Sequence, residues 1–147
     1  TKADYHGAEP WGNSGAALEL LKLGANCDDA KYREAGEKTV RLFAERLHQL
    51  PQGLPLMLHA LDFMLEEPKR VVIAGKHQDV KARELLWAAH SVYQPNKVVL
   101  GNIGPVEEFA RTLPEKDGPT VYLCTGKACM PPTNDPAEVR RLTANAR

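Results

Sequence analysis

Val71-Val72-Ile73-Ala74-Gly75 divides the chain into two kinds of sequence. Four small or β-branched apolar residues in a row, closed by a glycine, predict a buried strand. The signal recurs downstream as Val98-Val99-Leu100 before Gly101, and again as Val121-Tyr122-Leu123-Cys124. Between the first two runs, Asp79 is placed to cap a helix carrying Leu85, Leu86, Ala89 and Val92. Between the second and third, Pro105 opens a helix with Phe109 and Leu113, and Asp117-Gly118-Pro119 reads as a turn. Pro136 opens a last helix to Leu142. Strand, helix, strand, helix, strand predicts right-handed crossovers and a small parallel βαβαβ lobe over residues 68–147.

Upstream, over residues 1–67, the period changes to that of helices. Asn13 or Ser14 can cap a helix with the apolar stripe Ala17, Leu18, Leu21 and Ala25, ending at Gly24 or Asn26. Asp28 and Asp29 suit the start of the next, whose Val40, Phe43, Leu47 and Leu50 recur at helical spacing until Pro51 and Gly53 stop it. A third helix opens at Pro55 and is apolar almost all round, from Leu56 to Leu65. Such a helix needs burial on most sides. Two preceding helices cannot enclose it, so missing chain or a partner subunit is expected to cover the rest. The expected fold class is mixed α and α/β, with helical hairpins followed by the parallel lobe. The boundary is expected between Glu66 and Lys69.

The 19 basic side chains balance 19 acidic ones, and the two signs are interspersed, as in Lys31-Tyr32-Arg33-Glu34. No field favours nucleic acid. No apolar run approaches the ~20 residues that span a bilayer. Thr1 to Tyr5 lack a signal peptide's apolar segment, and the chain begins without Met. Three cysteines are too few for a disulfide scaffold. A reducing, cytoplasmic compartment and a piece of a larger intracellular protein are the expectations.

Chemistry has four candidate places. The opening loop, His6 to Gly15, holds Glu9 as an acid or base, Trp11 to stack on a sugar face, and Asn13 and Ser14 to read hydroxyls. A glycine-rich turn whose polar groups only cap the helix accounts for the same residues. The carboxyl edge of a parallel sheet would display Gly75-Lys76-His77, Gly101-Asn102 and Cys124-Thr125-Gly126. Neither a phosphate loop nor a dinucleotide fingerprint is present there, so no cofactor is assigned. Cys124 and Cys129 are spaced too widely for a thioredoxin-type pair and too few for a zinc site, so no metal is assigned. Reduced thiols are expected, with Cys124 packed at a strand end; a reversible redox pair is the alternative. His59 lies three residues before Asp62, which makes them neighbours on one helix face and a candidate proton-transfer pair. A core histidine bonded to backbone is the plain alternative.

Several segments together resemble one family. They are Gly7-Ala8-Glu9-Pro10-x-Gly12-Asn13-Ser14, Met57-Leu58-x-Ala60-Leu61-Asp62, Val71-Val72-Ile73-Ala74-Gly75, Pro95-Asn96-Lys97-Val98-Val99-Leu100 and Tyr122-x-Cys124-x-x-x-x-Cys129. In this order they are similar to the thioredoxin-domain-containing proteins that include the spermatogenesis-associated thioredoxin-like protein. The resemblance implies a parent with an N-terminal thioredoxin-like domain and an (α/α) toroid similar to six-hairpin glycosidases and N-acylglucosamine 2-epimerases. It places this chain in the C-terminal part and leaves any CxxC motif outside it.

The functional expectation is a sugar-type ligand site in the intact toroid, with Glu9, His59 and Asp62 catalytic and Trp11, Asn13 and Ser14 binding. The rest of the parent chain would be its partner, and an apolar face left open would favour a homodimer. The alternatives are a non-enzymatic scaffold that presents a thioredoxin-like domain, and a thiol redox role through Cys124 and Cys129.

Overall fold

The computed structural model describes residues 12–126 and 128–145. The chain forms two compact units that divide between Glu66 and Glu67. Among the described residues there are seven α-helices and one four-stranded sheet. No described helix is long and apolar enough to cross a membrane.

The first unit is helical: α1 (Gly12–Cys27), α2 (Ala30–Leu42), α3 (Ala44–Gln49), a 3₁₀ turn at Pro51–Gly53, and α4 (Pro55–Leu65). Asn13 and Ser14, expected as caps, lie inside the first turn of α1 instead. The helix also runs past Gly24, because Gly24 is needed for contact rather than for termination. A Cβ there would meet the backbone nitrogen of Arg33 at 2.9 Å, so the missing side chain lets α1 and α2 approach closely. The chain turns at Asp28, whose φ of 53° lies in the left-handed region that asparagine and aspartate tolerate best after glycine. Asp29 then caps α2, accepting from the Lys31 amide at 2.8 Å.

The expected single helix to Pro51 is broken at Phe43. Its amide bonds back to the Val40 carbonyl, a 3₁₀ contact that ends α2, and α3 restarts from there. Val40, Phe43 and Leu47 remain buried, while Leu50, the fourth residue of the predicted stripe, is exposed past the end of α3. In α4 the inward face is Met57, Ala60 and Phe63, while Leu58 stands 36% and Leu65 73% exposed.

The second unit holds β1 (Lys69–Ala74), α5 (Val80–His90), β2 (Lys97–Gly101), α6 (Glu108–Arg111), β3 (Thr120–Thr125), β4 (Ala128–Cys129) and α7 (Pro136–Asn145). Strand order is β2-β1-β3-β4. β1 and β2 pair in parallel through α5, as predicted. β3 does not: it runs antiparallel to β1, with Lys69 opposite Thr125 and Ala74 opposite Thr120. The wholly parallel lobe is therefore corrected to a mixed sheet. The cause is the segment after β2, where the helix expected from Pro105 shrinks to the four residues of α6. So short a helix cannot carry the chain back along the sheet, which a parallel crossover requires.

One face of this sheet packs Val71, Ile73, Val121 and Leu123 against Leu85 and Ala89 of α5 and Val139 and Leu142 of α7. Asp79 and Asp135 accept from amides two residues on, capping α5 and α7. At the other end of α5, the Lys97 ammonium donates to the Ala89 and Val92 carbonyls at 2.6 and 2.5 Å, and its burial lowers the lysine's pKa. Past β4 the chain stays beside β3: the Met130 amide bonds Leu123, and Thr133 pairs with Val121. β3 moves two residues between those contacts while its neighbour moves three, so Pro131-Pro132 form a bulge on the sheet edge.

Gly24→Ala should lower the midpoint of the helical unit's urea transition by the equivalent of about 1–3 kcal/mol of overpacking, more than the ~1 kcal/mol that alanine adds in helix propensity. Gly15→Ala, whose Cβ meets nothing within 4 Å, should raise the same midpoint. Equal shifts in both variants would mean that the close α1–α2 approach is not set by Gly24.

Candidate functional site

The sequence-predicted residues fall in separate places. Glu9 and Trp11 lie outside the described residues. Asn13 is half-buried and Ser14 buried in the first turn of α1. His59 is half-buried and Asp62 exposed on α4, a helix that packs against α1. Cys124 and Cys129 belong to the second unit.

The three-loop carboxyl edge does not exist as expected. Gly75 and Gly101 do share one edge, where Asn102 accepts from the Gly75 amide at 3.2 Å and donates to the Leu113 carbonyl at 3.0 Å. A shallow cleft of about 180 Å³ opens there between Ile73, Leu86, Val99 and Arg83. Because β3 is reversed, however, Cys124-Thr125-Gly126 sits at the opposite edge, beside Lys69.

That opposite edge carries the most constrained chemistry of the unit. Cys124 and Cys129 are joined as a disulfide, which corrects the expectation of reduced thiols. The turn at Gly126 folds β4 back on β3 and sets the two cysteines directly opposite each other. The Met130–Leu123 hydrogen bond belongs to the next pair along, which makes 124/129 a non-hydrogen-bonded pair. Such pairs bring Cα atoms closest, and these are 4.0 Å apart. The signal available in the sequence was Gly126 between two β-type segments, a hairpin cue that five-residue cysteine spacing alone does not reveal.

Arg70 and Glu107 belong to this edge although neither carries a functional signal in the sequence. Directly paired residues share a face, so Val98, Arg70, Cys124 and Cys129 form one row across the sheet, on the side away from α5 and α7. The segment from Asn102 to Pro119 covers this side. Arg70 is only 14% exposed and Glu107, at the start of α6, only 7%. The guanidinium pairs with the Glu107 carboxylate through Nη1 and donates to the Gly126 carbonyl through Nη2. Farther along the same face, the buried Tyr122 hydroxyl donates to the Pro114 carbonyl at 2.7 Å, and burial raises its pKa above 10.0. A charged residue just before a β-branched run reads as solvated surface, which hid Arg70.

Comparison with known proteins adds a relationship. The chain is similar to human Spermatogenesis-associated protein 20, with 35% identity over 149 residues. The mouse Spermatogenesis-associated protein 20 is 34% identical, and the Caenorhabditis elegans Uncharacterized protein B0495.5 is 31% identical over 150 residues. These alignments take in 95–96% of this chain, which marks homology along nearly all of it. The chain spans about a fifth of the length of these relatives. No family model matches it, and no solved structure does.

The covered face sets an alkaline limit. A group whose folded pKa is raised contributes stability that is complete below its unfolded pKa and is lost as pH climbs through the folded value. Tyr122 should therefore leave stability flat up to pH 10.0 and steepen its loss above that. Tyr122→Phe should cost about 1 kcal/mol at neutral pH and flatten the alkaline fall, read by urea melts at stepped pH. Parallel alkaline slopes would mean that Tyr122 ionises as freely in the fold as out of it.

Proposed function

We propose that the second unit acts through thiol–disulfide chemistry, with Cys124 and Cys129 passing between a disulfide and two thiols. The observation that carries this reading is the bridge itself, set across one cross-strand pair at a sheet edge. It spans only five positions of sequence, so it constrains little of the unfolded chain compared with a long-loop disulfide. The apolar core with α5 and α7 lies on the other face and does not depend on it. Reduction consumes two electrons and two protons from a dithiol, which leaves as its own disulfide. The remainder of the parent chain, with the thioredoxin-like domain that the resemblance implies, is the proposed partner.

The helical unit supports a second reading, a sugar-type pocket in an intact (α/α) toroid. What favours it is α4, where half-buried His59 and exposed Asp62 lie three residues apart beside open apolar side chains such as Leu65. Asn13 and Ser14, on the adjoining helix, would bind with Glu9 and Trp11. Epimerisation would use a carboxylate or imidazole for proton transfer, and a glycosidase would add a second carboxylate. A sugar-silent parent protein would return the helical unit to a scaffold role, in which its open apolar face docks the rest of the chain or a second copy.

Each reading has its own measurement. In dithiol redox buffers, native chain should interconvert reversibly between bridged and reduced forms, with a midpoint inside the range of about −180 to −300 mV spanned by biological dithiols. A bridge that resists excess dithiol until the unit unfolds would sink the redox role. For the helical unit, a sugar panel titrated into full-length protein should give saturable binding that Glu9→Gln and Asp62→Asn each weaken about tenfold or more. Binding indifferent to both substitutions would remove these residues from the site.

A further inference from the structure

The two cysteines of the bridge are unequal. Cys124 sits on β3, flanked by β1 and β4, and is 1% exposed. Cys129 lies on the two-residue edge strand and is half-buried. An incoming thiolate therefore has access to the Cys129 sulfur before the other. If Cys129 is attacked, Cys124 must leave as a thiolate in a buried place, where desolvation would normally raise its pKa and slow the step.

Arg70 is what this place supplies. It is the direct cross-strand partner of Cys124 and shares its face. From that position the side chain reaches the Gly126 carbonyl, two residues beyond Cys124. Nη1 and Nη2 are engaged by Glu107 and Gly126, but the buried Nε–H has no acceptor among the described residues. A buried donor left unmatched costs free energy, and a thiolate on Cys124 would be a charged acceptor for it.

Resting on the thiol–disulfide reading above, we propose that exchange has a fixed polarity: a thiolate attacks Sγ of Cys129, and Cys124 leaves as a thiolate held by Arg70. The attacking sulfur's lone pair forms the new bond to Cys129. The electron pair of the Cys124–Cys129 bond stays on Cys124. The second thiol of the attacking dithiol then gives its proton to water and closes its own disulfide, releasing Cys129, which takes a proton from water. Glu107 has a positioning role, aiming the guanidinium along the row.

The test is limited exchange of the native chain with glutathione, acid quenching and peptide mapping. Glutathione should be found on Cys129. Alongside it, reduction by dithiothreitol should be about tenfold slower in Arg70→Met than in wild type, with Arg70→Lys between them. Should Arg70→Met fail to fold, the Cys124 thiol can be titrated by ultraviolet thiolate absorbance in a Cys27→Ser/Cys129→Ser background. A value below the ~8.5 of a free thiol is expected. Glutathione on Cys124, equal reduction rates or a Cys124 value above that of a free thiol would each overturn the polarity while leaving the redox cycle intact. An absence of any exchange would instead overturn the thiol–disulfide reading itself.

Discussion

A guanidinium buried on the covered face of a small sheet has to be matched by a carboxylate and by carbonyl oxygens, and that requirement organises the second unit. Arg70 meets it with Glu107, 37 positions away, and with Gly126, 56 positions away. The three segments share no local propensity that would bring them together. A buried pair of this kind adds little net stability against an apolar equivalent, yet breaking it strands a charge at a cost of about 3–5 kcal/mol. Its effect is thus on arrangement. With Arg70 fixed on β1, a one-residue slip of β3 would turn Cys124 to the face of α5 and α7 and separate it from its present row.

The reversal of β3 follows the same logic. Once α5 has crossed one face, the chain covers the other with a broken segment, anchored by Asn102, Leu113 and Pro114, before entering β3 from the opposite end. The two faces of the sheet are covered by unlike structures, the helices α5 and α7 on one side and loops around α6 on the other.

How much of this is legible without coordinates varies by element. β1, β2 and α5 are written plainly, because β-branched runs ending in glycine and an aspartate before an apolar period depend only on neighbouring residues. The direction of β3 is not, since a strand covered on both faces has the same apolar run whichever way it points. The clue lay in Gly104-Pro105 and Asp117-Gly118-Pro119, which leave too little unbroken sequence for a crossover helix. Gly24 misleads for a related reason. Its role is set by Arg33 on another helix, and a glycine near a helix end looks like a terminator when read alone. In the site, the cysteines were visible as residues while their pairing and the arginine beside them depended on register. His59 and Asp62 were placed on one helix by spacing, but spacing does not state what they face.

The bulge at Pro131-Pro132 has a consequence for crowded solutions. A sheet ends safely only if its last strand offers no ladder for a second molecule. Here that strand is two residues long, and the prolines after it lack amide hydrogens. Strand-by-strand growth into fibrils is blocked on this side. The other edge of the sheet is β2, a strand of five residues whose Lys97 is tied to the end of α5.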